Sequence, residues 1–242
     1  MFPELFTIFG ITIYSYGLLV ALGFFAGMCY TIKYTNDIPV KKDKMYDFMF
    51  YLIILSVIGA RLFYVFVNID FFIQHPADIF KVWQGGLVFY GGFVVAIIYA
   101  LLYCKYKNVN IKKLADVFAP AVALGHTFGR IGCLLSGCCY GKETSCLVSL
   151  NGRYPTQIFE AIGNFIIFLV LHKLYKKSHK DGHIFLIYLV LYSILRFLIE
   201  FFRGDDRGSF LFGMSPAQNI SIVILLIALI LFISSKRGKN GK

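Results

Sequence analysis

Charge is scarce in this chain. Asp, Glu, Lys and Arg make up 15% of its 242 residues, and only 13 of them are acidic against 24 basic. Apolar residues reach 58% and the mean hydropathy is +0.71. A soluble domain of this length could not hide so much apolar surface in one core, so that class is excluded. No basic residue precedes the first apolar run, and Met1-Phe2-Pro3-Glu4 lacks the charged leader of a secretory signal. The first run is therefore expected to act as an uncleaved anchor. Repeats, low-complexity tracts and long linkers are also missing, so one integral domain over 1–242 is expected.

What the chain does hold is a series of apolar runs near twenty residues, enough for a hydrocarbon layer of about 30 Å. Seven are expected, at 12–32, 45–67, 87–104, 114–135, 157–175, 183–203 and 216–234. The fold class read from them is all-α, a polytopic membrane protein of seven helices. Lys and Arg alternate strongly between the connecting segments, with 5 on one side and 16 on the other. The positive-inside rule then puts the N-terminus outside and the C-terminus in the cytoplasm. The net charge of +11 follows from basic loops facing anionic lipid and calls for no nucleic acid.

Three arginines remain, and they lie inside the spans: Arg61, Arg130 and Arg196. An arginine near a bilayer centre costs about 2.5–3.5 kcal/mol on insertion scales, so each is a candidate functional residue. In the expected topology all three sit roughly 8–10 Å below the outer interface. Tyr14, Tyr16, Gln157 and Glu160 fall at a similar level, as does the turn Gly85-Gly86-Leu87-Val88-Phe89-Tyr90-Gly91-Gly92. The planar, always-charged guanidinium suits phosphate or carboxylate. The alternative for each arginine is a structural pair or a snorkelling side chain, as for Arg196 with Glu200 one turn later.

These residues carry a resemblance. Gly129-Arg130-Ile131-Gly132-Cys133 with Ser136, Gly137 and Gly141 is similar to the signature of the prolipoprotein diacylglyceryl transferase family. Tyr14-Ser15-Tyr16-Gly17, Gly59-Ala60-Arg61-Leu62-Phe63-Tyr64 and the glycine turn resemble its earlier motifs. Asp116, Ala119-Pro120, Pro155-Thr156-Gln157, Glu160, Tyr192, Arg196, Glu200, Phe201, Arg203, Gly213-Met214-Ser215 and Gln218 follow in the family's order. The resemblance implies transfer of a diacylglyceryl group from phosphatidylglycerol to the lipobox cysteine thiol of a preprolipoprotein. It implies the outer face of the bacterial cytoplasmic membrane, phosphatidylglycerol and a signal-peptide lipobox as partners, and no cofactor or metal. By resemblance Arg130 holds the lipid phosphate and Arg196 acts on the reacting headgroup. Tyr16, Tyr192 and Glu200 orient them, and Arg61, Gly91, Gly92, Cys133 and Cys138 complete the lipid site.

The chain departs from the family at four places. Tyr90 and Tyr154 stand where histidines are usual, Cys133 where asparagine is, and Cys138 where glutamate is. Tyr90 occupies the base position, but a free tyrosine is about one part in a thousand ionised at neutral pH. His126, four residues before Arg130 on one helix face, is a candidate for the missing imidazole; the other reading is a histidine bonded into the bundle. Cys133, Cys138, Cys139 and Cys146 form C-x4-C-C-x6-C, which lacks the usual zinc spacing. A loop disulfide from Cys146 to Cys138 or Cys139 is favoured, and a nucleophilic cysteine stays open. Two functional classes stand: the transferase, on lipoprotein or another thiol, and a non-catalytic or transport protein binding an anionic lipid.

Overall fold

Long runs free of charge become long helices. The computed structural model describes residues 2–8, 11–82, 85–205 and 213–237, so Arg207, Lys239 and Lys242 of the loop-charge count lie outside the described residues. Among the described residues seven helices are long and apolar enough to cross a membrane: α1 (Ser15–Lys33), α2 (Lys42–Val67), α4 (Phe89–Lys107), α5 (Ile111–Ser136), α6 (Thr156–Tyr175), α7 (His183–Glu200) and α8 (Pro216–Arg237). The all-α, seven-span expectation holds, with ends within about three residues of those read from sequence.

Two features were not foreseen. The first span begins at Ser15 and not at residue 12, because Ile11–Tyr14 forms a strand, β2, antiparallel to β1 (Glu4–Ile8). Ile-Thr-Ile-Tyr is rich in residues branched at Cβ, which fit an extended backbone better than a helix start. Thr7 and Thr12 face each other across the pair with hydroxyls 3.2 Å apart. Between α2 and α4 the chain adds a short helix α3 (Ile69–Gln74) and a 3-10 turn (Pro76–Phe80).

The chain divides into two compact units, one of residues 1–31 and 115–242, the other of residues 32–114. The second is built on α2 against α4. A side chain at Gly91 would meet the Phe63 side chain and lie 2.6 Å from the Gly59 carbonyl, and one at Gly92 would lie 2.8 Å from the Ser56 carbonyl. Small residues at facing positions let two helix backbones approach, the usual means of packing in lipid.

In the first unit α1 lies on α5 through a similar contact. A Cβ at Gly23 would stand 3.1 Å from the Gly125 carbonyl, and one at Gly27 3.3 Å from the Ala121 carbonyl. Helix α7 packs on α6 and α8. Its N-terminus is capped from α5: the Asp116 carboxylate accepts from the Gly182 N–H at 2.6 Å and the Phe185 N–H at 2.8 Å. A carboxylate there satisfies orphan donors and complements the helix dipole.

Candidate active site

An acid inside an apolar helix must find cations, and Glu160 finds three. It lies one turn into α6, fully buried. Its Oε2 is 2.9 Å from Arg130 Nη1 of α5, and its Oε1 accepts from Arg196 Nη1 of α7 at 3.3 Å. Arg203 Nη1, just past α7, is 3.8 Å from Oε2. Arg196 also pairs with Glu200 one turn on, at 2.8 Å, and Arg203 forms a two-pronged pair with Asp205 at 2.8 and 2.7 Å. Three guanidiniums thus face three carboxylates in one desolvated cluster.

The pairs are close but not all are aligned. Glu160 Oε2, Glu200 Oε2 and Arg203 Nη1 make no hydrogen bond of good geometry, so their short contacts are Coulombic. The arginines also differ in access. The Arg130 side chain is 22% exposed, against 10% for Arg196 and 2% for Arg203. Arg130 is therefore the most open cation of this cluster, with Arg196 next. Tyr192 lies within electrostatic reach of Arg130, and the Tyr16 hydroxyl within electrostatic reach of Arg130, Cys133 and Cys138. His126 stacks obliquely on Tyr192 at 5.1 Å, with its Nδ1 3.4 Å from the Tyr188 hydroxyl. It borders the cluster through Tyr192.

The end of α5 brings the cysteines in. Gly137 and Cys139 both adopt positive φ, 76° and 62°, which coils the chain back on the helix. The first turn of α6 holds this coil: Gln157 Nε2 donates to the Cys138 carbonyl at 2.7 Å and Thr156 Oγ1 to the Cys139 carbonyl at 2.9 Å. The sulfurs of Cys133, Cys138 and Cys139 come within 4.8 Å of one another. A hydrogen bond from Cys133, then one from Arg203, pushes the Cys139 thiol down to about 4. No disulfide forms among the described cysteines, so the expected link from Cys146 to Cys138 or Cys139 is absent; Cys146 is exposed in the following loop.

The remaining expected site residues belong to the unit of residues 32–114. Arg61 was grouped with the other arginines, but its donors go to a loop. Nε donates to the Ile79 carbonyl at 2.9 Å, Nη2 to Asp78 at 2.5 Å, and Nη1 to Gly85 at 2.8 Å and Gly86 at 3.1 Å. Its plane also faces the Tyr64 and Phe72 rings at 5.5 and 5.4 Å. Gly86 must lack a side chain here, because its φ is +71° and a Cβ would lie 2.6 Å from Arg61 Nη1. Gly91 and Gly92 serve the α2–α4 contact described above. Tyr90 is 61% exposed at the start of α4, beside Phe89.

Three members of the cluster, Glu160, Arg203 and Asp205, were not among the expected site residues. Glu160 carried a signal, being the lone acid in its apolar run. Arg203 was marked only by the family's order of motifs, since at the end of the expected span 183–203 its charge reads as one more loop charge, and Asp205 carried no signal.

The profile of the family "Prolipoprotein diacylglyceryl transferase" matches residues 3–234. A phosphatidylglycerol–prolipoprotein diacylglyceryl transferase of Clostridium tetani is 35% identical over 243 aligned residues, spanning 96% of this chain and 97% of its own. One from Finegoldia magna is 34% identical over 237, spanning 96% and 95%. A protein of Clostridium perfringens named as the second such transferase is 34% identical over 246, again spanning 96% and 95%. This chain belongs to the prolipoprotein diacylglyceryl transferase family.

Proposed function

We propose that this chain is a membrane transferase that moves the diacylglyceryl group of phosphatidylglycerol to the lipobox cysteine thiol of preprolipoproteins. The names of its relatives support the reaction. The observation that carries the site is Arg130, partly open, held by a buried carboxylate between two further guanidiniums. In the reaction the acceptor thiol gives its proton to solvent, and the thiolate sulfur attacks the phosphate-bearing carbon of the diacylglycerol. The C–S bond forms, the C–O bond breaks, and glycerol phosphate departs with the electron pair and an added negative charge. Fixed guanidiniums in a site poor in water stabilise that charge without reorganising.

Arg130 takes the phosphodiester oxygens, and Arg196, oriented by Glu160 and Glu200, faces the bond that breaks. Tyr16 and Tyr192 flank Arg130, and His126 acts behind Tyr192. Arg61 clamps a loop and Gly91 and Gly92 close a helix contact, and the lipid contacts expected of them rest on the resemblance. The catalytic part expected of Tyr90 rests on the resemblance. The charge alternation supports a single domain in the bacterial cytoplasmic membrane with this site towards the outer leaflet.

The test mixes purified protein, phosphatidylglycerol and a lipobox peptide, with the thioether product read by mass spectrometry. Product is expected from the parent, with a loss of about 100-fold or more in Arg130→Ala and Arg196→Ala while both stay folded. Full turnover in either variant refutes its role. Lipid retained by the parent without thioether favours the non-catalytic binder.

A further inference from the structure

Three thiols stand together beside the arginine cluster, and the resemblance gives only two of them, Cys133 and Cys138, a place in the lipid site and none of them a chemical task. A covalent carrier role fails on chemistry: a diacylglyceryl group on a cysteine is a thioether, which an incoming thiol does not displace. What three sulfurs in one place do well is hold a soft cation.

The geometry supports this. The three sulfurs lie within 4.8 Å of one another. Zinc–thiolate bonds near 2.3 Å separate sulfurs in a tetrahedral site by about 3.8 Å, so closure needs an inward shift of about 1 Å. Neighbouring cysteines in an extended chain point apart. Here the positive φ of Gly137 and Cys139 turns both Cys138 and Cys139 towards Cys133, one helical turn back. The coil is fixed before any ligand arrives, by Cys138 N–H to the Cys133 carbonyl at 3.1 Å and by the Thr156 and Gln157 bonds. Cys133 is buried and Cys138 exposed, which provides a floor and an entry path. Three thiolates around a dication carry one net negative charge. Arg203, hydrogen-bonded to Cys139, and nearby Arg130 complement that charge, as outer partners of metal ligands commonly do.

We propose that Cys133, Cys138 and Cys139 form a three-thiolate site for zinc or a similarly thiophilic divalent cation, whose open fourth position receives the acceptor thiol. Sites with three protein ligands and an open position are the catalytic kind, and a thiol that coordinates there is deprotonated. The acceptor's proton passes to solvent. Its sulfur then attacks the glycerol carbon, and glycerol phosphate leaves on the arginine side. The metal stays divalent throughout, and the thioether, a weak ligand, departs. The metal site stands alone; its place in catalysis rests on the transferase reading.

The test uses the reduced, chelator-stripped full-length protein in detergent and cobalt(II) as the probe. One equivalent is expected to give thiolate-to-cobalt charge-transfer absorption, which zinc abolishes. Cys138→Ser, at an exposed position, is expected to weaken binding about 10–100-fold, while Cys146→Ser binds as the parent does. A lipobox peptide should shift the cobalt spectrum as a fourth sulfur binds, and its serine analogue should not. Stripping should lower transfer at least about tenfold, with zinc restoring it. No stoichiometric cobalt–thiolate spectrum in the parent overturns the site. A spectrum with transfer indifferent to stripping overturns the catalytic role. Metal bound tightly with no transfer by any form sinks the transferase reading and leaves the metal site standing.

Discussion

Replacing Glu160 with glutamine keeps the shape of the side chain and removes its charge from among three guanidiniums. At an effective dielectric of about 20 the 2.9 Å pair with Arg130 amounts to about 6 kcal/mol of attraction, most of it offset by desolvation. Removing one partner of a buried pair leaves the other uncompensated, at a net cost of about 3–5 kcal/mol. Arg196 keeps Glu200 and Arg203 keeps Asp205, so the stranded cation is Arg130. With 22% of its side chain exposed, hydration relieves part of the cost, and about 3 kcal/mol is expected. For a chain of this size that lowers Tm by roughly 6–12 °C. Thermal unfolding in one fixed detergent measures it, with Arg130→Gln closing a double-mutant cycle. A Glu160→Gln protein melting within about 1 °C of the parent refutes the reasoning. So does additivity with Arg130→Gln to within about 0.4 kcal/mol.

Three further outcomes are expected. Arg61→Lys, which substitutes a point charge for a planar fork, should speed hydrogen exchange at residues 78–82 and 85–86 at least about tenfold; unchanged exchange refutes the loop clamp. Asp116→Ala should cost about 1–2 kcal/mol and expose the Gly182 and Phe185 amides to exchange, and protection equal to the parent's there shows that the cap is not needed. In metal-free protein the depressed Cys139 pKa keeps the thiolate as pH falls, so its alkylation by iodoacetamide should hold between pH 8 and pH 5 and fail only near about 4. An ordinary thiol loses reactivity from about 8.5 downwards, and that behaviour at Cys139 overturns the assignment.

Helices of this kind announce themselves, because nothing but a bilayer or a large core accommodates twenty apolar residues in a row. Arg130 and Arg196 were legible for the same reason: an intramembrane guanidinium needs a cause. Arg61 satisfied the same criterion and proved to anchor a loop, since depth along a span does not say which way a side chain turns. The β1–β2 pair was obscured because its alternating residues run straight into α1, and apolar content alone does not mark the change of period. The thiol group was obscured by local geometry. The spacing C-x4-C-C resembles no familiar metal motif until left-handed residues at 137 and 139 fold the chain back on α5. The place of Arg203 in the cluster became visible only through its partners, Glu160, Glu200 and Asp205.

The unit that holds Glu160 is discontinuous in sequence, with α1 made first and the rest made after residue 114. At translation speeds of 5–20 residues per second, the ribosome takes roughly 4–16 s to make the intervening stretch. Through that interval the first helix must stay inserted without Ala121 and Gly125, the neighbours that its Gly23 and Gly27 later meet. It can do so because it carries no ionised side chain before Lys33 at its far end. A charge placed in the middle of α1 would therefore act during synthesis, expelling the helix before its partners exist, whatever the finished fold could tolerate.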